Sequence, residues 1–314
     1  MRLEPESRWG TIDHLESVGS NSSSNKSYLI RFFEDGTNNV RARMIDLRSR
    51  AHEARRLVIE MAYRAKKGHI GSALSIIDIA TVIASKVFDF QGDRVDRPRF
   101  VLSKGHAATA WYAAAAACEV IDKSEVLTYG SNGSRFGTHP DPVQPGTDFM
   151  TGSLGQGVGF AVGSALASRL SGTNFRVYCI LSDSELNEGS TWESLHIASQ
   201  LKLDRLTVVL DLNGQQALGM THDVMNVGNV GIHFKSVGWN VIEIDGHNVD
   251  EILGALEVAQ DSTQPVLIIA STVAGYPVDF MMKRVEWHYL PLTETQYNDA
   301  LMQIDEIFAK GLAH

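Results

Sequence analysis

The stretch Leu181–Asn213, LSDSELNEGSTWESLHIASQLKLDRLTVVLDLN, indicates most directly how this chain folds. One apolar strand ends at Asp183 and the next at Asn213, with a predicted helix over Ser190–Leu201 between them. A strand–helix–strand unit whose strands are parallel brings both strand ends to the same edge of the sheet. The side chains of Asp183 and Asn213 should therefore face a common point beside the N-terminus of that helix.

The chemistry of these two side chains indicates a class of ligand. Carboxylate and amide oxygens suit a hard divalent cation, and a helix N-terminus offers N–H groups and positive dipole to the phosphates that such a cation holds. Either residue alone is more often a strand-end polar group that caps the following loop. Only the pair, at this spacing, favours metal ligation.

The bulk composition is that of a globular protein and excludes several classes of function. With 314 residues and 44% hydrophobic content, the chain can bury a large core. A net charge of −9 leaves no basic surface for nucleic acid. The two cysteines, Cys118 and Cys179, indicate no disulfide framework and fit a reducing cytoplasm. No signal peptide and no uninterrupted apolar run of membrane-spanning length is evident, so no membrane partner is expected.

The chain is expected to have two parts. Residues 1–40, with the Ser/Asn tract at 20–25, are predicted to be a flexible extension containing at most a short element near Tyr28–Phe33. Residues 41–314 alternate helices and strands, which predicts an α/β domain with a doubly wound, mostly parallel sheet, helices on both faces and ligands at the C-terminal edge.

The boundaries of these elements follow from the periodicity of the apolar residues. The predicted helices are Met44–Lys66, Ser75–Phe88, Ala107–Cys118, Gly152–Ser171, Ser190–Leu201, Val230–Val237 and Val249–Ala259. The predicted strands are Arg99–Leu102, Arg176–Leu181, Leu206–Leu210, Trp239–Ile244 and Val266–Thr272.

Six motifs in one order carry a resemblance to a known family. They are GHIGSALSIIDI (68–79), SKGHA (103–107), FGTHPD (136–141), TGSLGQG (151–157), the 181–213 unit and FMMKRVEWH (280–288). Together they resemble the N-terminal, diphosphate-binding half of a transketolase, a thiamine diphosphate-dependent enzyme. A full-length transketolase is about twice as long. The resemblance is therefore to the first component of a split transketolase, and it implies a separate C-terminal subunit that carries the pyrimidine-binding domain, in an α2β2 assembly.

The resemblance implies thiamine diphosphate and Mg²⁺ as cofactors. It assigns Asp183, Asn213 and the main-chain carbonyl of Gln215 as metal ligands. The family pattern has glycine on both sides of the aspartate, where this chain has Ser182 and Ser184. Two interpretations stay open: a tolerated substitution that slightly weakens cofactor binding, or a degenerate site. The first is favoured because Asp183, Asn213 and Glu188 are all retained.

Four histidines in motif register, His69, His106, His139 and His288, form a second group. Imidazoles titrate near neutrality and can exchange protons with hydroxyls and phosphates, although a lone histidine in a loop is more often a surface residue. By resemblance, His106 contacts the diphosphate, while His69 and His139 face the reacting groups of the substrate. His288 would lie between the diphosphate and the substrate.

Two further assignments come from the resemblance alone. Gly152, Ser153 and Leu154 would contact the aminopyrimidine through main-chain atoms, although a turn that packs at a helix N-terminus explains them equally well. Glu188 would bond to the glutamate of the partner domain that activates the aminopyrimidine, or would simply be an acidic residue that interacts with a helix dipole.

The expected reaction is transfer of a two-carbon ketol unit from a ketose, or ketose phosphate, to an aldehyde. The segment 272–277, TVAGYP, departs from the family's TVKGKG and loses its lysines. It leaves open a subunit that decarboxylates a 2-oxo acid and joins the acyl unit to an acceptor (an acyloin-type carboligase). A non-catalytic regulatory or scaffold subunit of the same fold is the third alternative.

Overall fold

Five parallel strands form the central sheet, and a two-stranded antiparallel hairpin lies beside it. The computed structural model describes residues 37–89, 92 and 94–312. The strands are β1 (Arg99–Leu102), β2 (Val177–Ser182), β3 (Leu206–Leu212), β4 (Gln215–Gln216), β5 (Gly219–Met220), β6 (Asn240–Asp245) and β7 (Val266–Ser271). The main sheet has the order β1-β2-β3-β7-β6, and β4 pairs with β5 in the hairpin.

Helices cover both faces of the sheet. They are α1 (Thr37–Ala65), α2 (Ile70–Phe88), α3 (Ala108–Ala117), α4 (Lys123–Val126), α5 (Gly157–Ser171), α6 (Gly189–Gln200), α7 (Thr221–Val224), α8 (Val230–Ser236), α9 (Val249–Gln260) and α10 (Glu294–Leu312). The predicted flexible extension falls on residues outside those described, apart from 37–40, which begin α1. The possible element at 28–33 also lies outside them.

Strand β2 shows why the sheet is covered on both sides. Its six residues are all buried. Tyr178 and Ile180 point into one core with α1, α2, α3 and α9, while Val177, Cys179 and Leu181 point into the other with α5, α6 and α8. Successive side chains of a strand face opposite sides, so a continuous apolar run needs a helix layer on each side. The predicted doubly wound α/β fold is confirmed.

Helix α2 is the most apolar long helix in the described part of the chain. It is long and apolar enough to cross a bilayer, yet 89% of its apolar window is buried inside the protein. It packs closely against α3, whose ten residues are all buried. Helix α2 is therefore a core helix of a soluble protein, and its hydrophobicity is explained by packing.

Helix α5 begins later than the sequence predicts. The expected helix over Gly152–Ser171 starts at Gly157, and residues 152–156 form a loop instead. Gly155 in this loop has a φ of +79°, a left-handed conformation that a continuing helix does not allow. Its N–H donates to the buried carboxylate of Glu185 at 3.0 Å, so a tertiary contact ends the helical pattern here.

Candidate functional site

Asp183 and Asn213 converge on one turn at the C-terminal edge of the sheet. Strands β2 and β3 are paired in parallel with Ser182 opposite Asp211, which aligns their ends. The Oδ2 of Asp183 accepts the N–H of Gly214 at 2.8 Å, and the Oδ1 of Asn213 accepts the N–H of Gln215 at 2.9 Å. The convergence expected from the strand–helix–strand pattern is therefore present.

One oxygen of Asp183 has no hydrogen-bond partner among the described residues. Its Oδ2 also accepts the hydroxyl of Thr221 at 2.9 Å, but Oδ1 is buried and unpaired. Burial, followed by the nearby charge of Asp211, raises the pKa of Asp183 to about 6. A buried carboxylate with an orphan oxygen lacks a positive partner, and a divalent cation would supply one.

The donor set around this oxygen suits a hard cation. In the part of the chain that the structure describes, no three His, Cys, Asp or Glu side chains are grouped to hold a metal. A cation at Asp183 would therefore need amide and carbonyl oxygens, which the Asn213–Gln215 turn offers. Such all-oxygen ligation is the preference of Mg²⁺ rather than of zinc.

Two buried charges behind Asn213 were not predicted from the sequence. The Lys104 ammonium lies 2.5 Å from Oδ2 of Asp211, and both side chains are fully buried. Burial alone would raise the pKa of Asp211, but the Lys104 ammonium holds it below its usual value. Their signal in the sequence was a charged residue inside an apolar strand and another in the SKGHA loop.

Three of the four predicted histidines form a cluster. The ring centroids of His69, His106 and His288 are 5.0 to 5.5 Å apart. Burial, followed by the positive charges of neighbouring groups, lowers the pKa of each, to about 4 for His288. The cluster is thus neutral at physiological pH, a state in which each ring can both donate and accept a hydrogen bond.

His139 lies at the exposed rim of this cluster. Its charge contributes to the lowered pKa of both His69 and His106. Its ring also contacts the predicted aminopyrimidine loop, because a Cβ placed on Gly152 would lie 3.4 Å from its Cδ2. All four histidines are therefore neighbours.

His69 is held in an unusual backbone conformation. Its φ of 65° is left-handed, and its N–H donates to the carbonyl of His288 at 2.9 Å. A Cβ on the preceding Gly68 would lie 2.7 Å from the carbonyl oxygen of Tyr289, so only glycine allows this approach. Non-glycine residues rarely adopt this conformation unless tertiary contacts impose it, and such residues are concentrated at functional sites.

Glu185 joins three of the loops that form the site. Its carboxylate is fully buried and accepts the hydroxyl of Ser103 at 2.5 Å, the N–H of Gly155 at 3.0 Å and the N–H of Ser182 at 2.9 Å. These residues belong to the SKGHA motif, the TGSLGQG motif and the end of β2. Glu185 was not identified from the sequence, where its only signal was an acidic residue two positions after Asp183.

The loops themselves pack backbone against backbone. A Cβ on Gly105 would lie 2.8 Å from the carbonyl oxygen of Thr151, so the SKGHA and TGSLGQG motifs need glycine at this contact. Gly152 and Leu154 are half-buried and Ser153 is exposed. The loop is thus partly accessible to solvent, and its role toward an aminopyrimidine stays a prediction.

Ser182 and Ser184 bond to each other across Asp183, with 2.7 Å between their Oγ atoms. Ser182 is buried and Ser184 is half-buried. The pair therefore satisfies part of its own hydrogen-bonding capacity, while Asp183 keeps its place at the strand end. The unpaired oxygen of Asp183 argues against a collapsed site at this position.

Glu188 is exposed at the N-terminus of α6, beside Gly155. It makes no capping hydrogen bond, but its place at the helix N-terminus agrees with the helix-dipole alternative. A small cavity of about 20 Å³ is lined by Asn213, Gln215 and His288, so two of the predicted metal ligands lie beside the histidine cluster. A larger cavity of about 360 Å³ is lined by Asp183.

A parallel sheet that gathers a buried carboxylate, an amide and neutral histidines at its C-terminal edge defines a cofactor-binding α/β domain. Residues 47–304 match the family described as "Transketolase, thiamine diphosphate binding domain", and the chain belongs to this family. The resemblance inferred from the six motifs is confirmed.

Known relatives fall into two groups by length. An apulose-4-phosphate transketolase subunit of Phocaeicola vulgatus is 31% identical over 84% of this chain and 95% of its own. A 6-deoxy-6-sulfo-D-fructose transketolase subunit of Clostridium sp. is 32% identical over 83% and 97%. Human transketolase is 35% identical over 82% of this chain but only 42% of its own length.

Solved structures show the same relation. Transketolase from Campylobacter jejuni matches with a TM-score of 0.76 and 29% identity, over 83% of this chain and 43% of that one. Transketolase from Leishmania mexicana matches with a TM-score of 0.70 and 25% identity, over 85% and 46%. The chain spans less than half the length of these transketolases and nearly all of the relatives named as subunits.

Proposed function

We propose that the chain is the diphosphate-binding component of a two-subunit transketolase. It would transfer a two-carbon ketol unit from a ketose, or ketose phosphate, to an aldehyde. The observation that carries this proposal is the unpaired buried oxygen of Asp183, whose other oxygen accepts the N–H of Gly214 in the turn that follows Asn213. Relatives of nearly the same length that are named as transketolase subunits support the division into two chains.

The metal would be Mg²⁺, held by Asp183, Asn213 and the carbonyl of Gln215. Thiamine diphosphate, when bound, supplies the electron sink for breaking a carbon–carbon bond beside a carbonyl. His106, the most buried of the histidines, would donate to a diphosphate oxygen. His69 and His139 would hold and return protons at the substrate's hydroxyl and carbonyl, with His288 between the two groups.

The partner would be a separate C-terminal subunit that carries the pyrimidine-binding domain, in an α2β2 assembly in the cytoplasm. The exposed carboxylate of Glu188 supports this arrangement because it lies beside the predicted aminopyrimidine loop and makes no capping hydrogen bond within its helix. In the assembly it would accept a hydrogen bond from the partner's activating glutamate.

The altered segment 272–277 gives the 2-oxo acid alternative no support. Tyr276 stacks on His247 with ring centroids 4.1 Å apart, and the N–H of Val273 donates to Nε2 of His247 at 2.9 Å. His247 in turn bonds to the buried Asp78. The new aromatic residue is thus occupied in packing outside the histidine cluster and presents no group to a carboxylate substrate there.

Calorimetry tests the cofactor site directly. Thiamine diphosphate is titrated into the chain and its partner subunit, with and without Mg²⁺, for wild type and Asp183→Asn. The asparagine can still accept from Gly214 and Thr221, so the variant should fold but lose Mg²⁺-dependent binding by about 100-fold or more. Unchanged binding would contradict the assignment.

A donor screen tests the reaction. The assembled enzyme is offered ketose phosphates, unphosphorylated ketoses and pyruvate with a common aldehyde acceptor. Ketol transfer from a ketose donor is expected. Turnover of pyruvate alone would favour the carboligase, and failure to bind the cofactor even with the partner would favour a scaffold subunit.

A further inference from the structure

The side chain of Asn213 is hydrogen-bonded to a fully buried ion pair, Lys104–Asp211. Oδ2 of Asp211 accepts the Nδ2–H of Asn213 at 2.8 Å, and the Lys104 ammonium lies 2.5 Å from the same oxygen. Asp211 and Lys104 are both completely buried. Neither residue is among the proposed ligands of the cation.

The network reaches three separate elements. Ser75 of α2 donates its hydroxyl to Oδ2 of Asp211 at 2.8 Å, and Thr272 after β7 donates to Oδ1. Lys104 also donates to the carbonyl of Ser72 at 3.1 Å. Asp211 is therefore held by helix α2, the SKGHA loop and the end of β7, so its position is rigid relative to the sheet.

These contacts fix the orientation of the Asn213 side-chain amide. An amide has one acceptor end and one donor end, and only the oxygen can bind a cation. An ionised carboxylate can only accept, so Asp211 selects the Nδ2 end of Asn213. The N–H of Gln215 can only donate, and it lies 2.9 Å from the Oδ1 end. Both neighbours thus favour the orientation in which Nδ2 donates to Asp211 and Oδ1 accepts from Gln215.

Lys104 makes this selection possible. A carboxylate in a fully buried position is strongly disfavoured without a counter-charge, and the ammonium at 2.5 Å provides it. With Lys104 in place, Asp211 acts as an acceptor toward Asn213.

We infer that Lys104 and Asp211 are positioning residues that orient the Asn213 amide with its oxygen toward the bound cation. This inference rests on the proposed function, because it assumes that a cation binds at Asp183 and Asn213. It goes beyond that function because it assigns roles to Lys104 and Asp211, which are not among the proposed contacts of metal, cofactor or substrate.

An exchange of side chains tests the orientation. Mg²⁺ is titrated by calorimetry into the chain and its partner subunit, saturated with thiamine diphosphate. Asp211→Asn should weaken Mg²⁺ binding by about 10- to 100-fold, as loss of outer-shell partners commonly does. The double variant D211N/N213D should recover most of this loss, because a carboxylate at 213 presents oxygen in either orientation.

The rescue separates orientation from simple stability. Lys104 lacks its carboxylate at 211 in both variants, so a purely structural pair predicts no recovery in D211N/N213D. Asp78→Asn is the matched control, because it breaks the other strongly buried pair, Arg55–Asp78, away from the cation. It should lower the unfolding temperature without changing Mg²⁺ affinity.

A second set of variants covers the case in which D211N fails to fold. K104M/D211L removes both buried charges and should weaken Mg²⁺ binding to a similar degree, and adding N213D should restore it. Unchanged Mg²⁺ affinity in D211N or K104M/D211L, or loss without rescue, would overturn the inference. Absence of Mg²⁺-dependent binding in the wild type would instead contradict the proposed function.

Discussion

At the scale of single residues, the two serines beside Asp183 bond to each other, with their Oγ atoms 2.7 Å apart. The family pattern has glycine at both positions, which lets a phosphate approach the backbone closely. The hydroxyl pair leaves Asp183 buried with its Oδ1 unpaired among the described residues, so the chemistry of the proposed metal ligand is preserved. Compared with glycines, the two serines reduce the free space at the end of β2.

Replacing Ser184 with glycine should therefore strengthen binding of the cofactor. The missing Cβ would clear room for the diphosphate, and we expect up to about tenfold tighter binding, equivalent to about 1.4 kcal/mol. Calorimetry with thiamine diphosphate, Mg²⁺ and the partner subunit measures this. Ser184→Ala, which keeps the Cβ, is the control. Weaker binding by the glycine variant would show instead that the hydroxyl contacts the diphosphate.

A second residue-scale prediction concerns His288, whose pKa is lowered to about 4 by burial and by the charges of His69 and Lys104. In the unfolded chain its pKa returns to near 6.5. Between these two pH values the unfolded state binds more protons than the folded state, so stability falls as the pH is lowered. His288→Gln should make the free energy of unfolding less dependent on pH in this window.

Urea denaturation at pH 7 and pH 5 measures this dependence. The exposed His222, replaced in the same way, serves as the control. An equal loss of stability on acidification in wild type and His288→Gln would contradict the prediction.

At the scale of elements, the site depends on loops that three different segments bring together. Glu185 accepts hydrogen bonds from the SKGHA loop, the TGSLGQG loop and the end of β2. Gly105 allows the first two loops to touch through their backbones. The elements are therefore fixed to one another at the edge of the sheet where the site lies.

Glu185→Gln should destabilise the fold by about 1–3 kcal/mol, because an amide cannot accept from all three donors and leaves a buried group unsatisfied. Chemical denaturation measures the loss. Glu193→Gln, on the exposed face of α6, should change stability little and is the matched control. Equal stability of the two variants would show that the three hydrogen bonds are not needed.

At the scale of the whole molecule, the chain matches transketolases over less than half of their length. Glu188 is an exposed carboxylate with no capping bond, beside the predicted aminopyrimidine loop. In the proposed two-subunit enzyme, a second chain would cover this edge. We expect co-expression with the partner to give a particle with two copies of each chain by light scattering.

The variant Glu188→Gln should lower the activity of the assembled enzyme without affecting the folding of the chain. Because the side chain is exposed, the variant should keep its stability and its Mg²⁺-dependent cofactor binding. Ketol transfer by the assembled enzyme should fall by about 100-fold, since a general acid–base contact commonly contributes this much. Glu193→Gln on the same helix is again the control. Full activity of Glu188→Gln would remove Glu188 from the mechanism.

The sequence by itself determined the five strands of the main sheet, the helices that alternate with them and the two side chains at the sheet edge, but not the β4–β5 hairpin, α4, α7 or α10. Apolar periodicity is a local property, and parallel pairing of successive strands then forces their ends together, so Asp183 and Asn213 could be placed without coordinates. The motif order likewise identified the four histidines, which the structure brings together.

Only the tertiary structure decided which groups support these residues. Lys104, Asp211 and Glu185 are charged residues whose burial depends on partners from distant parts of the chain, and no local pattern reveals such pairing. The same holds for the late start of α5, where a contact to Glu185 overrides a helical pattern. Local periodicity specifies helices and strands. The partners of buried charged residues come instead from elements that lie far apart in the sequence.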